Sequence, residues 1–223
     1  MIVTIDGPAG AGKSSIAKRV AERLGFEFLD TGAMYRAVTL GAIRAGFDLE
    51  DTSRENIDAL VSLADAAELG WTDARIYLNG EDVSDLIRTP EVTASIGRVA
   101  DQPAIREKLS AQQRRVAAGR NIVTEGRDQG SEVFPDADCK IFLTASATER
   151  AKRRQQQLAS SGTHLPFEEI LAAQDERDRK DQARLVGRLR AAADAIVVAT
   201  DGMTTDEVVE NVLDVVQGAM NTR

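Results

Sequence analysis

Residues 7–14 read GPAGAGKS and directly follow residues 2–5, a run of β-branched residues typical of a buried strand. The octapeptide matches the phosphate-binding pattern GxxxxGK[ST] at every fixed position. An amphipathic segment follows from residue 13 to about residue 24, so strand, loop and helix come in the order that the pattern requires. This stretch predicts an α/β fold with a phosphate site at the end of its first strand.

The residue types of this loop suit the phosphates of ATP. Its glycines let the backbone bend around a phosphate chain and point successive N–H groups inward. Lys13 supplies a cation for the β- and γ-phosphates, and the Ser14 hydroxyl can join the shell of a Mg²⁺ ion. We expect ATP and Mg²⁺ as cofactors, Lys13 as a catalytic residue and Ser14 as the metal ligand. The predicted ATP-binding residues are Gly7, Pro8, Ala9, Gly10, Ala11, Gly12, Lys13, Ser14 and Ser15.

Short apolar runs alternate with amphipathic segments along the rest of the chain. The predicted strands are residues 2–5, 26–29, 121–125, 140–143 and 195–199. Five strands alternating with helices predict a three-layer α/β fold, with a parallel sheet and a ligand crevice at the carboxyl ends of the strands. Residues 68–83 differ, because aromatic and branched residues alternate with turn residues and Asn79-Gly80 suits a tight hairpin. We expect a small antiparallel insertion there.

The composition and net charge of the chain argue against proteins that bind nucleic acid or membranes. A net charge of −8 over 223 residues disfavours a non-specific grip on nucleic acid or on an anionic membrane. The single cysteine, Cys139, allows no internal disulfide and suits a reducing compartment. The chain starts directly with the first predicted strand and has no long apolar run. We therefore expect a cytoplasmic protein that binds neither nucleic acid nor membranes.

The loop by itself leaves the reaction open. The chain has no NKxD string of the kind that selects guanine in GTPases, and residues 123–125 are a weak match to the acidic Walker-B strand of motor ATPases. Its compact length favours a kinase, in which arginines neutralise the phosphates of ATP and of an acceptor. The alternatives are a kinase for another monophosphate or small metabolite, and a regulatory ATPase that hydrolyses ATP slowly without an acceptor.

Longer motifs occur in one order along almost the whole chain. They are GPAGAGKS at 7–14, DTGAMYR at 30–36, GEDVS at 80–84, IRTPEV at 87–92, EGRDQGSEVFPDA at 125–137, KIFL at 140–143 and ERDRKDQAR at 176–184. Together they resemble the bacterial cytidylate kinases, a P-loop nucleoside monophosphate kinase family. Adenylate, thymidylate and shikimate kinases share the loop and the fold class, but not the GRD and ERD strings at this spacing.

This resemblance implies ATP-dependent phosphorylation of CMP and dCMP by a monomer, and it assigns roles residue by residue. Arg36, Arg127 and Arg184 match positions that grip the acceptor phosphate. Arg106 and Asp128 match positions that read the cytosine, and Arg177 and Asp181 match those at the sugar. The implied catalytic residues are Lys13, Arg127, Arg184 and Asp128, and the implied substrate-binding residues are Thr31, Arg36, Arg106, Arg127, Asp128, Arg177, Asp181 and Arg184.

One position departs from the family pattern. Related enzymes place a serine that helps to bind the base where this chain has Gly97. Either Ser95, two positions away, replaces that serine through a local shift, or the hydrogen bond is absent. Discrimination against uracil depends on which alternative holds.

The resemblance also implies regions with separate tasks. Residues 1–36 and 119–223 form the predicted core, residues 37–118 the acceptor-binding region with its insertion at about 66–84, and residues 150–168 a lid within the core. Arg150, Lys152, Arg153 and Arg154 lie at the start of this lid, before a polar string at 160–163. We expect Arg153 and Arg154 to contact ATP phosphates. The alternative is a solvated basic face of a helix.

Overall fold

The computed structural model describes residues 1–72, 75–160 and 162–221. Packing divides the chain into two compact units, Met1–Phe28 with Gly119–Arg223, and Leu29–Ala118. The functional regions expected from the sequence stay a prediction, because packing alone defines these units. Parts of those regions lie outside the described residues: Asp73 and Ala74 of the insertion, Ser161 of the lid, and Thr222 and Arg223 of the core.

The elements alternate between strands and helices over most of the chain. In chain order they are β1 (Ile2–Asp6), α1 (Lys13–Leu24), β2 (Glu27–Asp30), α2 (Thr31–Arg44), α3 (Arg54–Ala66), β3 (Leu69–Thr72), β4 (Arg75–Leu78), β5 (Glu81–Asp82), α4 (Pro90–Ala100), α5 (Pro103–Ala117), β6 (Ile122–Gly126), β7 (Cys139–Thr144), α6 (Ala147–Ser160), α7 (Phe167–Ala183), β8 (Ile196–Ala199) and α8 (Thr205–Asn221). A 3₁₀ turn covers Leu86–Arg88, and one turn of π-helix covers Gln129–Val133.

The larger sheet has five strands in the order β2-β6-β1-β7-β8. In the middle strand, Val3 lies opposite Val123 of β6 on one side and Cys139 of β7 on the other, and both pairings are parallel. The strand order reverses direction at β1, and in such sheets ligands bind at the carboxyl ends of the strands beside this point. The predicted three-layer α/β fold with a five-stranded parallel sheet is confirmed.

The core of the first unit fixes α1 against the sheet. Apolar side chains from the strands and from two helices form one cluster: Val3, Ile5, Val123, Ile141 and Leu143 from the strands, Ile16, Ala17 and Val20 from α1, and Val208, Val209, Val212 and Val216 from α8. Side chains spaced three or four residues apart share one face of a helix, so both helices bury a single stripe. This packing holds the first residue of α1 at the end of β1.

The second unit contains the three-stranded antiparallel sheet in the order β3-β4-β5. Leu69 pairs with Leu78, and Asn79 and Gly80 turn the chain with φ angles of 51° and 84°. Positive φ at both turn residues is the geometry of the two-residue hairpin predicted from Asn-Gly. In the same unit α2 packs against α4, and α3 against α5.

Among the described residues, every helix is too short or too polar to cross a bilayer.

Candidate active site

The phosphate loop leaves β1 after Asp6 and ends where α1 begins. Gly7 has a φ of 150°, and a Cβ there would lie 2.0 Å from the carbonyl oxygen of Leu143. Gly10 and Gly12 are left-handed, with φ of 78° and 88°. All three positions therefore require glycine. Because Gly12 precedes α1 and has no side chain to cap it, the first amides of the helix can bind an anion.

Lys13 lies across this loop and is buried, with 6% of its surface exposed. Its Nζ donates a hydrogen bond to the carbonyl oxygen of Pro8 at 2.8 Å. Burial, together with the guanidinium of Arg127, lowers the pKa of Lys13 to about 7. An anion in the loop would favour the protonated form of this amine. Lys13 is thus placed as the cation of a phosphate site.

Ser14 follows Lys13 and contacts the end of a neighbouring strand. Its hydroxyl donates to Oε1 of Glu125 at 2.9 Å. Glu125 is buried and is the last residue but one of β6. A hydroxyl beside a carboxylate at the end of a strand is the pair that holds Mg²⁺ in P-loop enzymes. The sequence made Glu125 only a weak match to a Walker-B residue, and the contact that favours this role joins residues 111 positions apart.

Asp6 connects the start of the loop to the turn after β6. Its carboxylate accepts hydrogen bonds from the backbone N–H groups of Gln129 at 2.9 Å and Gly130 at 2.7 Å. Burial raises the pKa of Asp6 to about 7, although these two hydrogen bonds favour the charged form. The π turn that carries these amides follows Arg127 and Asp128 directly, so Asp6 helps to fix where both residues lie.

The π turn was not predicted from the sequence. It is compact because two glycines let the chain fold closely: a Cβ at Gly126 would lie 2.7 Å from the side chain of Gln129, and one at Gly130 would lie 2.8 Å from Oγ1 of Thr4. Gln129 is itself buried and accepts from the hydroxyl of Thr124 at 3.0 Å. A single π turn has no side-chain period of its own, so the pattern of residues gives no signal for it.

One carboxylate joins two of the predicted acceptor arginines. Oδ2 of Asp181 accepts from Nε of Arg127 at 2.9 Å, and Oδ1 pairs with Arg184 at 2.8 Å. The three side chains are largely buried, with exposures of 17% for Arg127, 4% for Asp181 and 14% for Arg184. Asp181 thus holds two guanidiniums side by side, and guanidinium is the group that binds phosphate oxygens through paired hydrogen bonds.

The segment after α7 is folded back so that Arg184 stays at this cluster. The N–H of Gly187 donates to Oε2 of Glu132 at 2.7 Å, and the N–H of Leu189 donates to the backbone oxygen of Asp181 at 2.9 Å. Glu132 belongs to the π turn. The turn after β6 therefore contacts predicted acceptor residues from two distant parts of the sequence.

Asp128 and Arg177 are two further predicted site residues. They lie close enough to the phosphate loop to shift the pKa values of Asp6 and Lys13. The backbone oxygen of Asp128 accepts from the N–H of Glu132 at 2.8 Å, which starts the π turn. Asp128 is buried, and its charge adds to the burial that raises the pKa of Asp6. Arg177 is exposed on α7, and its charge adds to the burial that lowers the pKa of Lys13.

The basic residues at the start of α6 have different environments. Arg150 is buried and forms an ion pair with Asp178 at 2.5 Å. Arg153 pairs with Glu149 and donates to the hydroxyl of Thr200 at 2.9 Å and to its carbonyl oxygen at 2.6 Å. Arg154 is exposed and donates to Gln157, one turn along the helix. Arg154 is thus the more exposed of the two predicted lid contacts.

In the second unit, Arg36 is held on one side of α2. Its NH1 donates to the carbonyl oxygen of Ile87 at 3.3 Å and to the hydroxyl of Thr93 at 2.8 Å. The helix starts at Thr31, which is 3% exposed, and the carboxylate of Asp30 caps it by accepting from a first-turn N–H at 2.9 Å. The predicted residues Thr31 and Arg36 therefore lie on the first two turns of one helix.

Arg106 is buried on α5. Its NH1 donates to the carbonyl oxygen of Ala100 at 3.0 Å, and the guanidinium lies 5.1 Å from the centre of the Tyr35 ring, within the range of a cation–π contact. Gly97 lies on α4, and the nearest atom to a Cβ there is Oδ2 of Asp101 at 3.7 Å. A Cβ at residue 97 would therefore make only an ordinary van der Waals contact.

Comparisons with known proteins agree with this arrangement. A family model described as cytidylate kinase matches residues 3–218. The cytidylate kinase of Rhodopirellula baltica is 65% identical over 217 residues, which cover 97% of this chain and 93% of that protein. The cytidylate kinase of Caldanaerobacter subterraneus subsp. tengcongensis is 43% identical over 215 residues, covering 96% and 94%. A solved structure of an uncharacterized protein from Eubacterium ventriosum has a TM-score of 0.51 at 12% identity, covers 98% of each chain, and supports the fold alone.

A glycine-rich loop that ends in Lys13 and Ser14, set after the middle strand of a parallel sheet, defines the class of P-loop nucleotide-binding proteins. The family match extends over nearly all of the chain, and relatives of high identity cover it from end to end. The chain belongs to the cytidylate kinase family. It is therefore a kinase that uses nucleotides, and the resemblance found in its sequence is confirmed.

Proposed function

We propose that this protein transfers the γ-phosphoryl group of ATP to CMP and dCMP, giving ADP with CDP or dCDP. The observation that carries the proposal is the cluster of Arg127, Asp181 and Arg184. Arg127 is close enough to Lys13 to lower its pKa, so a second cationic site lies near the phosphate loop. A regulatory ATPase needs one phosphate site, whereas a kinase with a phosphorylated acceptor needs two.

The proposed mechanism is direct in-line transfer between the two phosphate sites. The loop amides and Lys13 hold the β- and γ-phosphates of the donor, and Arg127 and Arg184 hold the phosphate of the acceptor. An acceptor phosphate is already ionised near neutral pH, so no strong general base is required. Rate enhancement then comes from positioning and from neutralising the negative charges that must approach each other.

We propose that Mg²⁺ is held by Ser14, together with Glu125 and the donor phosphates. The hydroxyl–carboxylate pair at 2.9 Å supports this choice, since both groups offer oxygen ligands at the end of β6. Among the described residues, no group of three or more acidic, histidine or cysteine side chains could form a metal cage. This fits an ion that takes most of its ligands from substrate and water. When bound, Mg²⁺ would neutralise charge on the donor phosphates.

The remaining acceptor residues are assigned by the family resemblance. Arg36 grips the acceptor phosphate, Thr31 lies at the same helix start, and Arg177 contacts the sugar. Arg106 and Asp128 read the base: the carboxylate accepts from the amino group of cytosine, and the guanidinium donates to its ring acceptors. Uracil has a carbonyl where cytosine has the amino group, which would leave the carboxylate facing another acceptor.

We propose that Arg154 is the lid residue that contacts ATP phosphates, and that Arg153 has a smaller part. The hydrogen bonds from Arg153 to Thr200 support this division, because they would have to break before Arg153 could move. Replacing Arg154 with methionine should lower turnover more than it lowers the affinity for CMP. An unchanged turnover in that variant would argue for a solvated basic face.

We also propose that the protein acts as a monomer in the cytoplasm, with small nucleotides as its partners. The net charge of −8 argues against a sequence-independent grip on nucleic acid or an anionic membrane. Cys139 is a free, buried thiol, which suits a reducing compartment.

The reaction is tested by measuring ADP release with a panel of acceptors: CMP, dCMP, UMP, AMP and shikimate. The proposal expects CMP and dCMP to stimulate release far above the level seen without an acceptor, and the other compounds to do so weakly. If another compound were the preferred acceptor, the assignment of CMP would be wrong, but the protein would still be a kinase. Slow ATP hydrolysis that no acceptor stimulates would favour a regulatory ATPase.

A further inference from the structure

Helix α7 buries a polar stripe where a helix of this kind normally buries an apolar one. Its buried residues are Ile170, Gln174, Asp178 and Asp181. Their spacing of four, four and three residues places them on one face. Buried polar groups are costly unless they are paired, so Gln174, Asp178 and Asp181 need partners in the core. The partners reveal what the helix does.

Asp178 and its partner Arg150 hold a residue of the phosphate loop. Oδ1 of Asp178 accepts from the backbone N–H of Ala9 at 3.3 Å, and NH1 of Arg150 donates to the carbonyl oxygen of Ala9 at 2.9 Å. The pair is closed by the Arg150 to Asp178 hydrogen bond at 2.5 Å. Both backbone groups of Ala9 are therefore bound by one ion pair that lies outside the loop.

Gln174 supports the same contact one turn earlier on α7. Its Nε2 donates to the carbonyl oxygen of Arg150 at 3.3 Å, and it would be 2.8 Å from a Cβ at Gly10. Nε of Arg150 also donates to the carbonyl oxygen of Ala145 at 3.1 Å. The guanidinium is thus held against Ala9 by its bonds to Ala145 and Asp178, and Gln174 lies beside Gly10.

The other end of the stripe reaches the acceptor arginines. Asp181, one turn after Asp178, holds Arg127 and Arg184. One face of α7 therefore contacts the phosphate loop through Asp178 and the arginine cluster through Asp181.

The stability of the fold does not by itself explain the ion pair between Arg150 and Asp178. The exposures of Arg150 and Asp178 are 7% and 11%, and the desolvation of two buried charges often cancels their attraction. Replacing a buried ion pair with apolar residues of similar volume is frequently neutral or stabilising. Geometry offers a better reason: with Ala9 fixed, the amides that follow it in the loop keep one direction.

We propose that Arg150 and Asp178 are positioning residues that hold the phosphate loop in the conformation that binds the donor phosphates. The inference rests on the proposed function, because it assigns the loop to the phosphates of ATP. Neither residue contacts the nucleotide in this scheme. They act through Ala9, whose two hydrogen bonds to the pair set the direction of the loop amides.

The test is the double variant Arg150→Met with Asp178→Leu, which removes both charges and keeps the core filled. Binding of ADP and of adenosine is measured by competition with a fluorescent nucleotide. We expect the affinity for ADP to fall about tenfold, because the loop amides lose their alignment with the phosphates. The affinity for adenosine, which has no phosphate, should be unchanged, and the KM for CMP should stay the same while that for ATP rises.

The matched control is Glu176→Gln with Arg179→Gln, which removes an exposed ion pair of 2.7 Å from the same helix. It should leave the affinities for ADP and adenosine unchanged. If the double variant does not fold, Arg150→Lys serves instead, since one ammonium cannot replace the forked guanidinium, and the same split between ADP and adenosine is expected.

Two results would overturn the proposal. One is an unchanged affinity for ADP in a folded variant, and the other is an equal loss for ADP and adenosine, which would indicate general disruption. Failure of the proposed function would look different: the unmodified protein would release no ADP in response to CMP or dCMP, whatever the variant binds.

Discussion

In the proposed function the phosphate loop and the arginine cluster each bind a phosphate, but the two sites are encoded in different ways. The loop binds through backbone amides and Lys13, all within residues 7–14. The cluster binds through Arg127 and Arg184, whose shared partner Asp181 lies 54 residues from Arg127. A contiguous backbone motif specifies its own geometry, whereas a cluster of side chains depends on the packing that brings them together. Mutations at the two sites should therefore affect different substrates, ATP for the loop and CMP for the cluster.

The largest effect is expected at the loop lysine. Replacing Lys13 with alanine should lower the rate of phosphoryl transfer by about 10³-fold, because the donor loses its main cation in a buried site. The measurement is ADP release with saturating CMP, and thermal unfolding should show that the fold remains.

Lys18, an exposed residue of the same helix, provides the matched control. Lys18→Ala should keep the full rate. Full activity in the Lys13→Ala variant would contradict the assignment of the loop to the donor.

The next effect is expected at the carboxylate that bridges the cluster. Asp181→Asn removes the charge that holds Arg127 and Arg184, so kcat/KM for CMP should fall by about 10²-fold. The KM for ATP should change little, because the loop does not depend on this carboxylate. Steady-state kinetics with each substrate varied in turn would measure the difference.

Asp175→Asn makes the same substitution at an exposed position of α7 and should have no effect. A loss shared equally between ATP and CMP would show that the cluster and the loop are not separate sites. Because the two arginines share one partner, Arg127→Ala and Arg184→Ala should also be less than additive when combined.

The effect of pH should separate the two sites as well. Burial and the nearby Arg127 lower the pKa of Lys13 to about 7 in the free protein, and bound phosphate would raise it again. At pH values above about 7, the complex therefore holds more protons than the free protein. Between about pH 7.5 and the raised pKa of Lys13 in the complex, the affinity for ADP should therefore fall about tenfold for each pH unit, since the phosphates themselves are already ionised there.

Calorimetric titration in buffers of different ionisation enthalpy would detect the proton that binds with ADP. The Lys13→Ala variant lacks this amine and should take up fewer protons over the same range, in which Asp6 can still titrate. A flat profile in the unmodified protein would contradict the role of Lys13 as a titrating cation in the loop.

The smallest effect is expected in the choice of base. Gly97→Ser introduces the serine that the resemblance expects, and the nearest atom to its Cβ would be Oδ2 of Asp101 at 3.7 Å. One added hydrogen bond to the base should improve the preference for CMP over UMP by about threefold. The ratio of kcat/KM for the two acceptors measures it.

Ser95→Ala decides between the two alternatives left by the sequence. If Ser95 already replaces the missing serine, this variant should weaken the preference for CMP and Gly97→Ser should add nothing. If the hydrogen bond is absent, Ser95→Ala should have no effect on the preference.

The same contrast between backbone and side chains explains what could be predicted. The parallel sheet, the loop and the Asn79-Gly80 hairpin were all predicted from local patterns and are confirmed. Each depends on residues that are close in sequence: glycines at left-handed positions, apolar runs and amphipathic helices. Such features leave a period or a motif that can be read directly.

Contacts between distant residues could not be predicted in this way. Arg150 belongs to a basic run on α6 that indicates an exposed helix face, yet it is buried against Asp178, 28 residues further on. Glu125 contacts Ser14 across 111 residues. The roles of the acceptor residues came from resemblance, and their assignment stays a prediction, because the residues themselves do not specify a cytosine.

The most direct test is to observe where each nucleotide binds. In a nuclear magnetic resonance titration, CMP should shift the side-chain Nε–Hε signals of Arg127 and Arg184, and a non-hydrolysable ATP analogue should shift the backbone amides of residues 10–14. Both sets should respond when the two ligands are present together. If CMP shifted only the loop amides and left both arginine signals unchanged, the acceptor would occupy the donor loop, and the account of two phosphate sites would be wrong.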